Sequence, residues 1–277
     1  MKTTKFKTGL LSMLALLLLA SCVKVIQVDL NEADPRLVVE GNITSDVGPY
    51  TVKLSQTANY FGKSEYSPVT GASVAISDNQ GNKEVLTDQG DGTYLTQNLQ
   101  GTPGRTYTLD IVADGQNYTA TSIMAQQVVI DSTFFYYNDG SLSVFAPEGF
   151  YISYNFIDPS EENYYRFESF VGDTLGKVTA ARGEFLDDLQ IGGELGAETS
   201  IWFDPFNNFE LGDSITVRVS SIDKDIYDYY ITLAEAKASS GGGFGSIPQN
   251  PSSNISNDAL GFFGAFSKDE VQIVIGF

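Results

Sequence analysis

A regular alternation of apolar and polar residues, broken by turn sequences, constrains the fold more than any other feature of the chain. Leu37, Val39 and Ile43 alternate with Glu40 and Asn42, and similar short runs follow as far as position 124. A period of two sends neighbouring side chains to opposite faces of a strand, which is typical of strands with one buried face. The predicted strands are Leu37–Thr44, Tyr50–Ser55, Ser73–Asp78, Lys83–Asp88, Thr93–Gln97, Thr106–Ala113 and Gln116–Met124.

Turn chemistry separates these runs, as in Asp88-Gln89-Gly90-Asp91-Gly92 and Thr102-Pro103-Gly104. Short strands at this spacing predict an Ig-like antiparallel β-sandwich over residues 36–125. Two turns, Asp78–Asn82 and Asp88–Gly92, also carry oxygen ligands that suit calcium. Neither matches a loop that ends in a bidentate Glu at its twelfth position, so hairpin chemistry is the favoured interpretation and no metal site is predicted.

Residues 126–277 are also β-rich, but they contain more aromatic residues. Their predicted strands are Val128–Tyr137, Phe150–Ile157, Tyr164–Val171, Ser214–Ile222 and Val271–Phe277. One α-helix is predicted near residues 223–238, with Asp223 as its N-cap and Gly241-Gly242-Gly243 after its end. Its apolar stripe consists of Ile226, Tyr230, Leu233 and Lys237. We expect a second, larger, sandwich-like β domain that this helix braces.

Residues 1–21 have the features of a secretory signal peptide. Three lysines precede an uncharged apolar run, Leu10–Leu19, and small residues follow it. A transmembrane anchor is the alternative, but spanning a bilayer takes about 20 apolar residues. The segment ends in Leu19-Ala20-Ser21-Cys22, which is the pattern of a bacterial lipobox. We therefore expect cleavage before Cys22, acylation of its thiol and new N-terminus, and a lipidated tether over residues 22–35.

Charge and composition exclude several classes of function. The net charge is −19, and loss of the three lysines of residues 1–21 would make it −22. So acidic a chain is unsuited to nucleic acid. The chain has no histidine and one cysteine, which excludes imidazole-based catalysis, His-ligated metals and disulfides. No catalytic motif and no cofactor motif is found, so a non-enzymatic protein is predicted, and a carboxylate-based hydrolase is the enzymatic alternative.

The loop after the second strand is long and aromatic. It contains Tyr60, Phe61 and Tyr66. A loop longer than about 12 residues without its own pattern is usually functional or disordered, and aromatic residues argue against disorder. Two interpretations stay open: the three rings contact a ligand or partner, or they fold back and pack.

The ordered set of motifs resembles a known family. The matching stretches are Pro35–Gly41, Gly48–Leu54, Val69–Asp78, Gly92–Tyr94, Pro103–Tyr107, Gly212–Val217, Ile222–Tyr229 and Asn254–Phe266. Together with the lipobox they resemble the Bacteroidetes outer-membrane lipoproteins with domain of unknown function 4249. The resemblance implies lipid anchoring in the outer membrane and a TonB-dependent receptor as a partner. It implies no catalytic residues, and both faces of the outer membrane stay open.

The same resemblance implies O-glycosylation of Ser or Thr in a three-residue pattern. The pattern is Asp, then the modified Ser or Thr, then an apolar residue or Thr. Ser132, Thr174 and Ser214 fit that pattern, which is also common in turns. The leading hypothesis is an accessory or ligand-capturing subunit of a TonB-dependent uptake system. Its ligand would be a small molecule, peptide or glycan. The alternative is a cell-surface adhesion or structural protein.

Overall fold

The structure is a computed structural model that describes the chain in nine segments. These are residues 34–58, 66–139, 148–157, 159, 163–172, 185–187, 198–203, 209–239 and 249–276. From Pro35 onward the described residues belong to one compact unit. The predicted signal peptide and most of the predicted tether lie outside the described residues.

The described chain is mostly β-structure with one α-helix, as the sequence predicts. The strands are β1 (Leu37–Thr44), β2 (Thr51–Gln56), β3 (Ser67–Pro68), β4 (Ser73–Asp78), β5 (Lys83–Val85), β6 (Thr87–Asp88), β7 (Thr93–Leu95), β8 (Thr106–Ala113), β9 (Gln116–Ile123), β10 (Ile130–Asn138), β11 (Gly149–Ile157), β12 (Tyr164–Val171), β13 (Phe185–Asp187), β14 (Glu198–Phe203), β15 (Ser214–Ile222) and β16 (Leu260–Val274). The helix is α1 (Lys224–Ser239) and lies between β15 and β16.

Strands β1–β9 form the first sandwich. One sheet contains β1, β2, β7 and β6, and the other has the order β5-β4-β8-β9. Their inward side chains make one buried core, with Val52, Tyr94 and Leu109 fully enclosed. Strands β1, β2 and β7 correspond to the first, second and fifth strands of an Ig-like sandwich and lie in one sheet. Strands β4, β8 and β9 correspond to the third, sixth and seventh and lie in the other. This order is that of an Ig-like sandwich, so the predicted fold class is confirmed.

Strands β10–β16 form the second sandwich on the same plan. The sheet β10-β11-β14 faces the strands β13-β12-β15-β16, and a second core with Phe156, Tyr165 and Phe167 lies between them. Each half therefore has its own apolar core. The domain boundary near residue 125 stays a prediction, because β16 contributes to the sheets of both halves.

Strand β16 joins the sandwiches. Leu260–Phe266 pairs in parallel with Val38–Thr44 of β1, and Ser267–Val274 pairs antiparallel with Ser214–Ser221 of β15. The result is one nine-stranded sheet, the shared sheet, with the order β13-β12-β15-β16-β1-β2-β7-β6 and β3 beside β2. The predicted final strand, Val271–Phe277, is therefore wrong in its bounds. Polar Ser267 to Glu270 lies inside the strand, because long-range pairing outweighs the local pattern.

Strands β16 and β1 come so close at Gly261 that this position requires glycine. We call this contact between the two strands the joint. Gly261 has φ +89°, and a Cβ there would lie 1.9 Å from the carbonyl oxygen of Val39 on β1. Any other residue would separate the two strands or strain the backbone. Gly261 therefore permits the parallel pairing that makes the sheet continuous.

Helix α1 is confirmed, with bounds one residue from those predicted. The Asp223 carboxylate accepts a hydrogen bond from the backbone N–H of Ile226 at 3.0 Å, as an N-cap does. The other carboxylate oxygen accepts from the Ser122 hydroxyl at 2.5 Å and from the N–H of Ile123 at 2.9 Å. Asp223 thus begins the helix and ties it to β9. The helix packs on Phe262 and Phe266 over the outer face of the shared sheet.

The region predicted as one strand, Lys83–Asp88, changes sheets. Lys83–Val85 pairs with β4, whereas Thr87 and Asp88 pair with β7. Leu86 between them is buried and its N–H donates to Val74. The described residues of the first half consequently form nine strands rather than the seven predicted, because this crossover and the short β3 carry no periodic signal.

Candidate functional site

The outer face of the shared sheet carries a row of aligned side chains. Glu40 on β1 lies between Phe262 on β16 and Lys53 on β2, and Lys53 lies opposite Thr93 on β7. Residues on either side of Glu40 and Lys53 point inward and are buried, for example Val39 and Val52. The alternation therefore places this polar row on the solvent side of the first sandwich.

An open cleft of about 450 Å³ lies on this row. Its lining consists of Val38, Glu40, Lys53, Leu54, Ser55, Tyr66, Pro68, Asp91, Gly92 and Thr93. Tyr66 is 69% exposed, so its ring is presented to solvent rather than to the core. The cleft combines an aromatic ring, three hydroxyl groups and charges of both signs.

The charged groups of the cleft floor are not used by the fold. Among the basic side chains of the described residues, Lys53 alone has neither an ion pair nor a hydrogen bond. Glu40 faces Lys53 directly, yet within the described segments it forms no ion pair or hydrogen bond. The hydroxyl of Tyr66 likewise has no partner in the part of the chain that the structure describes. These three groups are available to a ligand.

Backbone geometry fixes the rim of the cleft beside β7. Gly92 has φ +84°, and a Cβ there would lie 2.6 Å from the carbonyl oxygen of Leu54. The Gly92 carbonyl accepts a hydrogen bond from the N–H of Leu54 at 2.8 Å, so the turn lies flat against β2. Asp91 accepts from the N–H of Thr93 at 2.9 Å. Hydrogen bonds from Thr93 lower the pKa of Asp91, which keeps the rim carboxylate ionised.

Aromatic side chains border the same face toward β16. The ring of Tyr229 on α1 lies 4.6 Å from the ring of Phe262, and Tyr230 lies 5.5 Å from Phe262. Burial, the neighbouring Tyr230 and the charge of Glu40 raise the pKa of Tyr229 to about 12. The hydroxyl of Tyr229 therefore stays protonated at neutral pH. Glu40 lies between this aromatic cluster of Tyr229, Tyr230 and Phe262 and the floor of the cleft.

Within the described segments, no three His, Cys, Asp or Glu side chains converge on a point where a metal ion could sit. The acidic turn at Asp78, considered for calcium, is used by the fold. Burial opposes ionisation of Asp78, but hydrogen bonds from Asn82, Arg105 and the Gln80 N–H outweigh burial and lower its pKa to about 2.

Of the residues predicted from the sequence to have functional roles, the structure brings one into the cleft. Tyr66 lines it, whereas Tyr60, Phe61 and Thr174 lie outside the described residues, as do Leu19, Ala20, Ser21 and Cys22. Ser132 is exposed on β10 and accepts a hydrogen bond from the Asn155 side chain at 3.3 Å. Ser214 is half-buried and accepts from Gln272 at 2.7 Å. Glycosylation and ligand contact at these positions stay predictions.

Sequence analysis missed Glu40, Lys53 and Thr93 as members of one site. Alternation already placed Glu40 and Lys53 outward on adjacent strands. The missing information was the register that sets them opposite each other, and the folding of Tyr66 and Asp91 over the same patch. An outward charge pair beside an aromatic loop was the available signal.

Comparison with known proteins identifies a family. Residues 23–272 match the family described as "Domain of unknown function (DUF4249)". The chain belongs to the DUF4249 family. Among curated proteins, none matches this DUF4249 chain.

One solved structure similar to this DUF4249 protein is a segment of two fibronectin type III domains from chicken tenascin. It is 14% identical, with 68% of this chain and 91% of that chain covered, at a TM-score of 0.21. So low a TM-score supports no conclusion, and the Ig-like assignment is based on the strand order described above. No described helix has both the length and the apolar character needed to cross a membrane.

Proposed function

We propose that this DUF4249 protein is a lipid-anchored outer-membrane lipoprotein that acts as a non-enzymatic, ligand-capturing subunit of a TonB-dependent uptake system. The observation that carries the proposal is Leu19-Ala20-Ser21-Cys22 at the end of a short apolar segment. A diacylated thiol and one N-acyl chain at Cys22 would supply three acyl chains, and two are already enough for stable anchoring. The partner in the proposal is a TonB-dependent β-barrel receptor.

The cleft on the first sandwich supports a capturing role. It is open, its floor is built on paired strands, and Glu40, Lys53 and Tyr66 form no hydrogen bond or ion pair with the described residues. Binding sites built on strands hold their groups more accurately than sites built on loops alone. A tethered sandwich with such a face can present a bound ligand to a neighbouring receptor.

Co-purification tests the uptake role directly. The protein carries a C-terminal tag in its native host, membranes are dissolved in a mild detergent, and bound proteins are identified by mass spectrometry. We expect a stoichiometric β-barrel receptor together with the lipidated chain. Lipidated protein that is recovered without any β-barrel partner would contradict the proposal.

A Cys22→Ala variant is the matched control. It keeps the folded sandwiches but removes the acylated thiol, so we expect loss of radiolabelled fatty acid and release from the membrane fraction. Retention of the variant in the outer membrane would show that another segment anchors the chain. Protease added to intact cells then reports which face is exposed, and protection until the outer membrane is breached would contradict capture at the cell surface.

The alternative, an adhesion or structural role, gains some support from the Ig-like plan of the first sandwich. It predicts binding to a surface or to another cell without a transport partner. A deletion strain separates the two: loss of growth on a transported nutrient supports uptake, and loss of attachment with normal growth supports adhesion.

A further inference from the structure

The cleft on the shared sheet has a polar lining that suits one chemical class of ligand. Its floor places the Glu40 carboxylate next to the Lys53 ammonium, on neighbouring strands and in register. Such directly opposed side chains have Cβ atoms about 5 Å apart. Each is without an ion pair or hydrogen bond in the described segments, so each can turn toward a bound molecule.

We propose that this cleft binds a neutral saccharide, with Tyr66 as the stacking ring and Glu40 and Lys53 as hydrogen-bonding partners. This deepens the capturing role and rests on it, because it names the class of ligand that the uptake system would receive. A hydroxyl group both donates and accepts hydrogen bonds. Adjacent hydroxyls of a sugar can donate to Glu40 and accept from Lys53 at once.

The ring of Tyr66 supplies the apolar half of such a site. A pyranose has one face of C–H groups that packs on an aromatic ring while its hydroxyls point outward. Tyr66 is 69% exposed, and the lining that it shares also contains the apolar Pro68 and Val38. The cleft therefore matches a ligand with one apolar face and a polar edge.

Charge selects among saccharides. Asp91 and Glu40 both line the cleft with Lys53, so the charge of its ionisable side chains is −1. The whole protein is strongly acidic as well, with a net charge of −19. This negative field would repel the anionic uronic acids and sulfated sugars, whereas neutral sugars carry no charge for it to repel.

The dimensions fit a short oligosaccharide. Adjacent strands lie about 4.8 Å apart, so the floor from β1 to β7 is about 10 Å wide. The volume of about 450 Å³ lies in the range of small-molecule sites, and its openness allows a chain to extend beyond it. One or two sugar rings would occupy the floor.

Calorimetric titration of the full lipoprotein tests the proposal. The protein is kept in a detergent without a sugar headgroup, and it is titrated with hexasaccharides of β-glucose, α-glucose, mannose, xylose and N-acetylglucosamine. A galacturonate hexamer and an alanine hexapeptide are titrated in parallel. We expect at least one neutral hexasaccharide to bind with millimolar or tighter affinity, and no binding of the two parallel probes.

Variants assign the binding to the cleft. Tyr66→Ala removes the stacking ring and Lys53→Ala the hydrogen-bond donor, and each should weaken binding about tenfold. Glu40→Gln keeps the shape and should weaken it less. Tyr137→Ala and Lys83→Ala are the matched controls, since both residues are exposed outside the cleft, and both should bind like the unchanged protein.

Three results would overturn the proposal. They are no binding of any neutral hexasaccharide, equal binding by the cleft variants and their controls, and selective binding of the galacturonate or the peptide. The uptake role is tested separately by co-purification. A β-barrel partner with no saccharide binding would therefore remove the ligand class and leave the uptake role in place.

Discussion

The two sandwiches have the same strand plan and share one turn in detail. Before β8 the N–H of Gly104 donates to the Met124 carbonyl at 2.7 Å, and before β15 the N–H of Gly212 donates to the Ile275 carbonyl at 2.8 Å. Met124 and Ile275 each donate back to the residue after that glycine at 2.9 Å. The turn that starts the sixth strand is therefore the same structural unit in both halves.

The residue that follows this turn differs between the halves. In the first sandwich it is Tyr107, whose buried hydroxyl accepts a hydrogen bond from the N–H of Thr102 at 2.7 Å. This is the tyrosine corner of Ig-like folds. In the second sandwich Ile215 occupies the equivalent position and fills the core. The second half thus keeps the backbone of the corner without its side-chain hydrogen bond.

The outer faces differ in how they use charge. On the second sandwich Glu168, Arg218 and Glu270 face one another across β12, β15 and β16, and Arg218 lies 2.8 Å from Glu270 and 3.6 Å from Glu168. Arg166 pairs with Glu168 at 2.5 Å. On the first sandwich the corresponding row contains Glu40 and Lys53, which form no ion pair with the described residues. The charges of one face are paired within the fold, and those of the other are not.

The largest expected effect comes from breaking the joint between the halves. Gly261→Ala would place a Cβ against the Val39 carbonyl at a positive φ, and should cost at least about 3 kcal/mol of unfolding free energy. Urea denaturation measures it. Gly276→Ala is the control, because nothing lies within 4 Å of its Cβ position. Equal stability of the two variants would show that the β1–β16 contact does not hold the halves together.

Substituting Glu168 and Glu40 in turn compares the ion-paired row of the second sandwich with the row of the first sandwich, which has no ion pair among the described residues. Its side chain is 4% exposed, so Glu168→Ala leaves the guanidinium groups of Arg166 and Arg218 without their shared carboxylate. We expect a loss of about 3 kcal/mol in urea denaturation. Glu40→Gln should change stability by less than about 0.5 kcal/mol. A comparable loss in both variants would remove the distinction between the faces.

The buried carboxylate of Asp78 makes the stability of the first sandwich depend on pH. Its folded pKa of about 2 lies below the model-compound value of 3.8, so its stabilisation is present above pH 4 and is lost as pH falls toward 2. Asp78→Asn should cost about 2 kcal/mol at pH 7 and nearly nothing at pH 2. Thermal unfolding across this range measures the difference. An equal loss of stability at pH 7 and at pH 2 would contradict this role of the Asp78 carboxylate.

The smallest expected effect on stability comes from removing the Tyr107 hydroxyl, which the tyrosine corner of the first sandwich has and the second sandwich lacks. Tyr107→Phe leaves the N–H of Thr102 without its acceptor and should cost about 1 kcal/mol. Tyr118→Phe is the control, since the hydroxyl of Tyr118 makes no hydrogen bond with the described residues. If Tyr107→Phe is as stable as the control, the backbone turn alone holds the corner, as it does in the second sandwich.

Local signals predicted much of this fold. The bounds of β4 and β8 follow from alternation and turn residues, and α1 follows from the Asp223 cap. Each of these features is contained in a few neighbouring residues. The Ig-like order of the first half then follows from the number and spacing of its strands.

Long-range pairing could not be predicted in this way. Nothing near Leu260 indicates that it begins a strand parallel to β1, because the pairing depends on residues more than 200 positions away. The cleft has the same origin: Glu40, Lys53 and Tyr66 come together only when register and loop are set. Alternation predicted that two of them face outward, and tertiary structure made them neighbours.

Lysine-selective NMR tests the contrast between the faces most directly. The full lipoprotein is reductively methylated with ¹³C, the Lys53 resonance is assigned by its loss in Lys53→Arg, and the neutral hexasaccharide that binds in calorimetry is added. We predict that the Lys53 resonance shifts on saturation, whereas those of Lys83, Lys224 and Lys268, which are held in ion pairs, do not. An unmoved Lys53 resonance, or equal shifts of all four, would contradict a ligand site on the open face.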